Sequence, residues 1–275
     1  MKKSNTYHLK NRSVLNLEKK RLKLQAEKLF EFESLAIKKQ VPKKIERILD
    51  IGCGNGHYLK LLSKFFKAEG LGIDRNKNLL NEATEKNKKG MLVFKQVDID
   101  DRDGLIQIIN NYNPDLIIAR YVVQHFSKKQ VQDFFKTLLL ARNSKRRICI
   151  IDTDYKNIRH SARDQVILKL INEKIKYQKR RGGDCTIGSS LKKLSEKYKF
   201  TSIKEKKVLI GVNDLGQKKW LEIFGKILTS ACYENFKFKT KKHEMMIHDF
   251  NLWAKEGAGD KKRNVRWPVY ITSFK

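Results

Sequence analysis

Three glycines at alternate positions separate an apolar segment from an amphipathic one near residue 50. Gly52, Gly54 and Gly56 let the backbone turn tightly and leave its amides open to a ligand. Asp50 places a carboxylate at the end of the predicted strand. For Cys53, inside the loop, packing beneath the backbone is a more common role than that of a nucleophile. The pattern predicts a ligand-binding loop between a strand and a helix.

A second carboxylate ends the next predicted strand. Apolar residues at helical spacing follow the glycine loop, and residues 70–74 then have the composition of a short strand that ends at Asp74. This is the order of a βαβ unit, which brings Asp50 and Asp74 to the same edge of a parallel sheet. The alternative role for Asp74 is to cap the helix that begins near Asn76.

The glycine spacing resembles the first motif of the class I S-adenosylmethionine (SAM)-dependent methyltransferases. It reads G-x-G-x-G with an acidic residue two positions earlier, whereas a dinucleotide-binding loop reads G-x-G-x-x-G. The resemblance implies that the loop curves beneath the methionine part of SAM. It also implies that Asp74 accepts hydrogen bonds from both ribose hydroxyls, because each carboxylate oxygen can accept one O–H.

The resemblance also assigns residues to the adenine end of the cofactor. A predicted strand at residues 91–97 leads into Asp98, which matches the acidic position that meets the adenine amino group. Arg75 and Ile99 are expected beside the cofactor. Asp100 and Asp101 are expected to cap the following helix, and the sequence leaves the choice among the three aspartates open.

The fourth predicted strand, at residues 114–121, is followed by a short apolar segment that ends in His125, as is common in the family. Arg120, at the end of this strand, is expected at the cofactor edge. An oxygen or nitrogen acceptor can need a base near neutral pKa, and His125 is the candidate, with a packed or capping histidine as the alternative. Further candidates for the acceptor pocket are Tyr7, His8, Arg12, Asp152, Asp154 and Tyr155.

The pattern of elements predicts an α/β fold. Strands without clean alternation, separated by amphipathic helices, favour a parallel sheet with helices on both faces. The resemblance implies a Rossmann-like sheet of seven strands, with the last strand antiparallel beside the fifth. We expect residues 1–40 to form an N-terminal helical cap, residues 41–212 and 259–275 the SAM-binding domain, and residues 213–258 a helical insertion between the last two strands.

Composition favours a soluble, cytoplasmic enzyme. The chain has 275 residues, of which 40% are hydrophobic, enough for one large domain. No segment is long and apolar enough to span a bilayer, and no apolar stretch of a secretory signal follows the basic start. Four widely spaced cysteines form no C-x-x-C pair, so neither a disulfide framework nor a metal site is expected.

The formal net charge of +31 is the main argument for a polyanionic partner. Basic residues are densest at 176–181, 237–242 and 261–263. Lysine outnumbers arginine by about three to one, however, and bidentate recognition of phosphates favours arginine. The alternative is a lysine-rich, solvated surface with no partner.

These observations favour methyl transfer from SAM to an oxygen or nitrogen of a small-molecule acceptor, with S-adenosylhomocysteine as product. RNA methylation is the alternative. The chain lacks the Asn/Asp-Pro-Pro-aromatic motif of base-amine methylation after the fourth strand, and it has no Pro-Cys pair for attack on cytosine. A third hypothesis, a cofactor-binding module without turnover, is disfavoured by the intact glycines and Asp74.

Overall fold

A seven-stranded sheet lies at the centre of the computed structural model, which describes residues 12–42, 44–87, 90–229, 241–256 and 265–275. The strands are β1 Arg47–Ile51, β2 Glu69–Asp74, β3 Leu92–Gln96, β4 Leu116–Arg120, β5 Arg147–Thr153, β6 Lys204–Gly211 and β7 Arg266–Phe274. Their order in the sheet is β3-β2-β1-β4-β5-β7-β6. β7 runs antiparallel to β5 and β6, and the other pairs are parallel. The predicted seven-stranded sheet with an antiparallel last strand is confirmed.

Burial on both faces explains why the central strands are apolar throughout. Every residue of β5 is buried, as are four of the five residues in both β1 and β4. Such strands have no solvent face that would require alternation. The outer strand β6 differs, because its first four residues, Lys204, Glu205, Lys206 and Lys207, are exposed.

Helices cover both faces of the sheet and fill two hydrophobic cores. The principal helices are α1 Arg12–Lys38, α2 His57–Phe66, α3 Lys77–Glu85, α4 Arg102–Tyr112, α5 Lys128–Leu140, α6 Gln165–Arg180 and α7 Leu191–Lys197. Apolar residues of α1, α2 and α6 belong to one core, and those of α4, α5 and α7 belong to the other. No helix of the described ranges is long and apolar enough to cross a membrane.

Helical periodicity predicts an N-terminal helix over about residues 15–38, and it forms as α1, which begins three residues earlier. Ala26, Leu29 and Ile37 are buried in the same core as α2. Burial of these apolar side chains, and not intrinsic helix propensity, supplies most of the stability of such a helix. Its position allows its other residues to reach the carboxyl edge of the sheet.

One predicted helix begins later than its periodicity indicated. Periodicity from residue 158 predicts a helix, yet α6 begins at Gln165. The cause is local: the backbone N–H and hydroxyl of Ser161 both donate to the carboxylate of Asp164, which holds the preceding residues in a short 3-10 turn. A 3-10 turn at Ala162–Asp164 therefore lies where the first part of the helix was predicted.

The region between β6 and β7 is helical in its described part. Three short segments, α8 Val212–Leu215, α9 Gln217–Trp220 and the π-helical Leu221–Gly225, are followed by α10 Lys241–Glu256. Phe224 stacks on Trp267 of β7 with ring centroids 4.5 Å apart, and Trp253 of α10 donates to Asp164 at 3.0 Å. These helices pack in the same core as α1 and α6.

Candidate active site at the carboxyl edge of the sheet

The glycine loop joins β1 to α2 through three left-handed residues. Gly52, Gly54 and Gly56 have φ angles of 74°, 57° and 69°, which residues with a side chain rarely adopt. The surroundings add a second constraint at two of them. A Cβ on Gly52 would lie 2.4 Å from Val122, and one on Gly56 would lie 2.5 Å from Phe94. Backbone angle and close packing together therefore require glycine at positions 52 and 56.

Asp74 at the end of β2 holds the loop through its carboxylate. One oxygen accepts the N–H of Gly54 at 2.9 Å, and the other accepts the N–H of Asn76 at 2.8 Å. The N-cap of α3 is Asn76, whose side chain accepts from the helix backbone, so Asp74 does not cap that helix. Burial raises the pKa of Asp74, and the two N–H donors oppose that shift. Each oxygen still has acceptor capacity for a ligand hydroxyl.

Asp50 is buried at the end of β1 with no hydrogen bond to the described part of the chain. Burial, helped by the negative charge of Asp74, raises its pKa to about 8, although the cation of Arg120 lowers it. A buried carboxyl group without a partner is costly. The Asp50 carboxyl group is thus suited to bind a ligand cation such as an ammonium group.

Cys53 has the packing role that its position in the loop indicated. Its side chain is buried, and its Sγ lies 2.8 Å from where a Cβ on Gly72 of β2 would stand. Burial raises the pKa of the thiol well above its ordinary value, with Asp50 and Asp74 adding to the shift. A thiol of this kind is a poor nucleophile.

The predicted adenine end is open to solvent. Asp98 and Arg75 are exposed, and the Asp98 carboxylate accepts the N–H of Asp100 at 3.1 Å. Ile99 packs against the core. Asp101 is the N-cap of α4, as expected, whereas Asp100 instead accepts from the side chain of Gln130 at 2.8 and 3.0 Å. Among the residues that the structure describes, Asp98 is therefore the aspartate of the three that caps no helix and contacts no distant side chain.

Arg120 at the end of β4 forms a buried ion pair with Glu33 of α1. Its Nε lies 2.7 Å and its Nη2 3.1 Å from the two carboxylate oxygens of Glu33. Its guanidinium carbon lies 4.3 Å from the ring centre of Tyr58 and 4.5 Å from that of Tyr121. The hydroxyl of Tyr121 also donates to Glu33 at 3.2 Å. Arg120 reaches the predicted edge, and its guanidinium binds α1 there.

α1 also covers the glycine loop. Leu22 lies 3.5 Å from where a Cβ on Gly54 would stand, and the side-chain amide of Asn55 donates to the carbonyl of Lys19 at 3.3 Å. Glu27 meets His57, the first residue of α2, at 3.1 Å. The sequence pattern indicated a cap in this region, but it did not indicate Glu33 or these contacts.

His125 lies in a short 3-10 turn after β4, and its Nδ1 is 3.1 Å from the side-chain amide of Gln178. Burial lowers its pKa to about 3, and the cations of Lys174, Arg21 and Arg75 lower it further. A group with this pKa is neutral near pH 7 and is a weak base. The general-base role inferred from the sequence remains a prediction, which the electrostatics disfavour.

The carboxyl end of β5 supplies two more buried acids. Asp152 accepts the backbone N–H groups of Gln124 and Thr153 at 3.0 and 2.9 Å, and burial raises its pKa to about 7. Asp154 accepts from Ser189 at 2.6 Å and from the side chain of Asn157 at 2.8 Å. Asp152 therefore binds the turn that carries His125, and Asp154 binds the turns that follow β5 and precede α7. Of the other candidate lining residues, Tyr155 is buried against Trp267, with ring centroids 4.9 Å apart, while Tyr7, His8 and the side chain of Arg12 lie outside the described residues.

Within the described ranges, no group of three or more His, Cys, Asp or Glu side chains could hold a metal ion. The glycine loop, the strand-end acids and the residues after β4 lie together at the carboxyl edge of the sheet. Such an edge, with a switch in strand order at β1 and β4, is where open α/β sheets bind ligands.

Comparisons with known proteins agree with this geometry. Residues 48–145 match a family model described as a methyltransferase domain, and no curated protein sequence matches the chain. A SAM-dependent methyltransferase from Anabaena variabilis superimposes with a TM-score of 0.55 at 12% identity, covering 95% of this chain and 94% of that one. A putative sarcosine dimethylglycine methyltransferase from Galdieria sulphuraria gives 0.51 at 13% identity, covering 91% and 84%.

A third similar structure is the phosphoethanolamine N-methyltransferase 2 of Haemonchus contortus, in complex with phosphomonomethylethanolamine and S-adenosylhomocysteine. It gives a TM-score of 0.51 at 16% identity and covers 89% of this chain but 52% of that chain. This chain thus spans about half the length of that protein. The strand order and the glycine loop agree with the match of residues 48–145 to a methyltransferase domain.

Proposed function

We propose that this protein transfers the methyl group of SAM to an oxygen or nitrogen of a small-molecule acceptor. The observation that carries the proposal is the position of α1 over the carboxyl edge of the sheet. Leu22 packs over Gly54, and Glu33 binds Arg120 at the next strand end. A helix held in this place covers the glycine loop and the end of β4, and a site covered in this way admits a small acceptor more readily than a folded RNA.

The residues around the glycine loop fit the cofactor. In this proposal the loop of Gly52, Cys53, Gly54 and Gly56 passes beneath the methionine part, and the carboxylate of Asp50 faces its ammonium group. A buried carboxyl group with no hydrogen bond to the described residues is the feature expected at such a position.

The ribose and adenine ends are assigned to the next two strand ends. Asp74 accepts the ribose hydroxyls with the acceptor capacity that its two backbone donors leave. Asp98 accepts from the adenine amino group, with Arg75 and Ile99 beside the ring. The positive charge of Arg120 favours the ionised form of Asp50, while its guanidinium remains hydrogen-bonded to Glu33.

SAM supplies an electrophilic methyl group on a sulfonium, and the reaction is an in-line displacement. The protein then needs mainly to align the acceptor with that methyl group and to exclude water. α1 performs the second task by covering the loop, and the side chains after β4 and β5 perform the first. In this proposal His125 and Asp152 stand closest to the acceptor among the titratable groups.

Two of the similar structures carry names that fit this acceptor class. One is a phosphoethanolamine N-methyltransferase and another a putative sarcosine dimethylglycine methyltransferase, both named for acceptors with a small amine. Both are distant in sequence, so they support the class of acceptor and do not identify it.

The test is transfer of a labelled methyl group from SAM to a fractionated cell extract, with and without nuclease or protease. We expect the label in small, nuclease-resistant material, from which the acceptor can be identified. Label that is lost only after nuclease treatment would instead favour RNA methylation, for which the net charge of +31 is the supporting observation. The Asp74→Ala variant serves as the control for transfer that depends on the cofactor site.

A further inference from the structure

Gln178 of α6 makes two hydrogen bonds with the segment after β4. Its side-chain nitrogen lies 3.0 Å from the carbonyl oxygen of Gln124 and 3.1 Å from Nδ1 of His125. Gln178 is buried, with 2% of its surface exposed. No role for this residue follows from the sequence pattern, because it lies 53 positions from the histidine it contacts.

These two contacts determine the tautomer of His125. A backbone carbonyl can only accept, so the side-chain atom of Gln178 that faces Gln124 must be the nitrogen and not the oxygen. That nitrogen carries two hydrogens, and the second points to Nδ1 of His125. Nδ1 is therefore an acceptor without a hydrogen, and the neutral ring carries its proton on Nε2. An imidazolium would place two donors against each other.

The turn after α6 leaves Gln178 no room to rearrange. A Cβ on Gly183 would lie 2.8 Å from the side-chain nitrogen of Gln178 and 2.6 Å from the carbonyl oxygen of Gln124. The N–H of Gly183 donates to the carbonyl of Gln178 at 3.1 Å, and the N–H of Asp184 donates to Gln124 at 2.8 Å. Glycine at 183 thus allows the close packing that fixes the amide.

Most of the charged groups around His125 also favour its neutral form. Lys174 on α6, Arg21 on α1 and Arg75 after β2 disfavour a positive charge on the ring, and Glu18 on α1 is the acidic group that opposes them. Burial is the largest cause and lowers the pKa as well. The ring is therefore neutral near pH 7.

We propose that Gln178 is a positioning residue that fixes His125 as a hydrogen-bond donor through Nε2–H, so that His125 is not the base of the reaction. This inference rests on the methyl transfer proposed above. With Nδ1 held by Gln178 and Nε2 carrying the proton, neither ring nitrogen of His125 has a lone pair with which to take a proton from the acceptor.

The direct test is long-range 1H–15N NMR of the protein labelled with [15N]histidine, without any substrate. The chain has six histidines, and the signal that disappears in His125→Gln belongs to His125. We expect the Nε2–H tautomer and no titration of this ring between about pH 5 and 8. An Nδ1–H tautomer, or titration near the ordinary pKa of about 6.5, would overturn the proposal. This result does not depend on whether methyl transfer is found.

A charge change at Gln178 sharpens the test. In Gln178→Glu the carboxylate accepts from Nδ1–H, so the tautomer should reverse and the pKa of His125 should rise toward about 6.5. Gln165→Glu, at the exposed start of the same helix, is the matched control and should leave the ring unchanged. An unchanged His125 in a folded Gln178→Glu protein would contradict the assignment, and the wild-type tautomer remains decisive if this variant does not fold.

Once an acceptor is known, kinetics give an independent readout. Gln178→Leu removes the donor and should lower kcat roughly tenfold while leaving the KM for SAM unchanged, since about 1.4 kcal/mol corresponds to a factor of ten. Gln178→Glu should add a pH-dependent limb near neutral pH that the wild type lacks. Loss of SAM binding with no change in the pH profile would point to a merely structural role and reject the proposal.

Discussion

The two halves of the carboxyl edge are held in different ways. Around β1 and β2, main-chain groups position the site: Asp74 accepts two backbone N–H groups, and the glycine loop is fixed by its own φ angles. Around β4, buried side chains from distant helices do so, with Glu33 on Arg120 and Gln178 on His125. The first half depends on backbone geometry, and the second depends on partners that a single substitution can remove.

The largest expected effect is the loss of a buried partner at the β4 end. Glu33→Ala would leave the charge of Arg120 buried without its carboxylate, and we expect this to lower the free energy of unfolding by about 3 to 5 kcal/mol. Chemical denaturation measures it. Glu31→Ala, on an exposed position of the same helix, is the control and should stay within about 0.5 kcal/mol. Equal effects of the two variants would contradict the difference between the halves.

A second substitution tests the contact that joins the two halves. Gly52→Ala places a Cβ 2.4 Å from Val122 at a φ of 74°, so we expect a loss of about 2 to 4 kcal/mol from backbone strain and overpacking. Gly54→Ala has the strained angle but only an ordinary contact with Leu22 at 3.5 Å, and it should cost less. Adding Val122→Ala should recover stability in Gly52→Ala and not in Gly54→Ala.

Asp74→Ala tests the half around β1 and β2 through the affinity of the protein for SAM. We expect SAM to bind about ten- to a hundredfold more weakly, because charge-assisted hydrogen bonds to the ribose are lost and the Gly54 N–H loses its acceptor. Isothermal titration calorimetry measures the affinity, and Asp103→Ala in the first turn of α4 is the control. Unchanged affinity in Asp74→Ala would remove Asp74 from the proposed cofactor site.

The last expected effect is a slope of stability with pH, which is small over any one pH unit. The folded pKa of Asp50 is about 8, above its ordinary value of 3.8, so the folded state holds a proton that the unfolded state has released between these values. Stability from this group is complete below pH 3.8 and falls as pH rises toward 8, by at most about 1.4 kcal/mol per pH unit. Asp50→Asn should flatten the slope measured by denaturation without ligand. A slope unaffected by this change would show that Asp50 ionises normally.

The half held by the backbone is also the half that the sequence predicts well. Strand-end acids and glycine spacing are local patterns, and local patterns place Asp50, Asp74 and the loop correctly at one edge. Periodicity shows which face of α1 is buried, but it does not show that Glu33 on that helix meets Arg120, 87 positions away. The same holds for Gln178, since an isolated glutamine on a buried helix face gives no sign of its partner. The start of α6 was missed for a local reason, the pairing of Ser161 with Asp164, which hydrophobic periodicity does not report.

The lysines on β6 have a consequence for the behaviour of the protein at high concentration. The free side of an outer strand offers unpaired N–H and C=O groups to any strand that approaches. Lys204, Lys206 and Lys207 are exposed there, and two copies aligned edge to edge would bring several ammonium groups close together. Their repulsion is strong in dilute buffer and weakens as the Debye length falls from about 30 Å at 0.01 M salt to about 3 Å at 1 M. Dilute buffer therefore favours separate molecules, and concentrated salt removes that barrier to self-association.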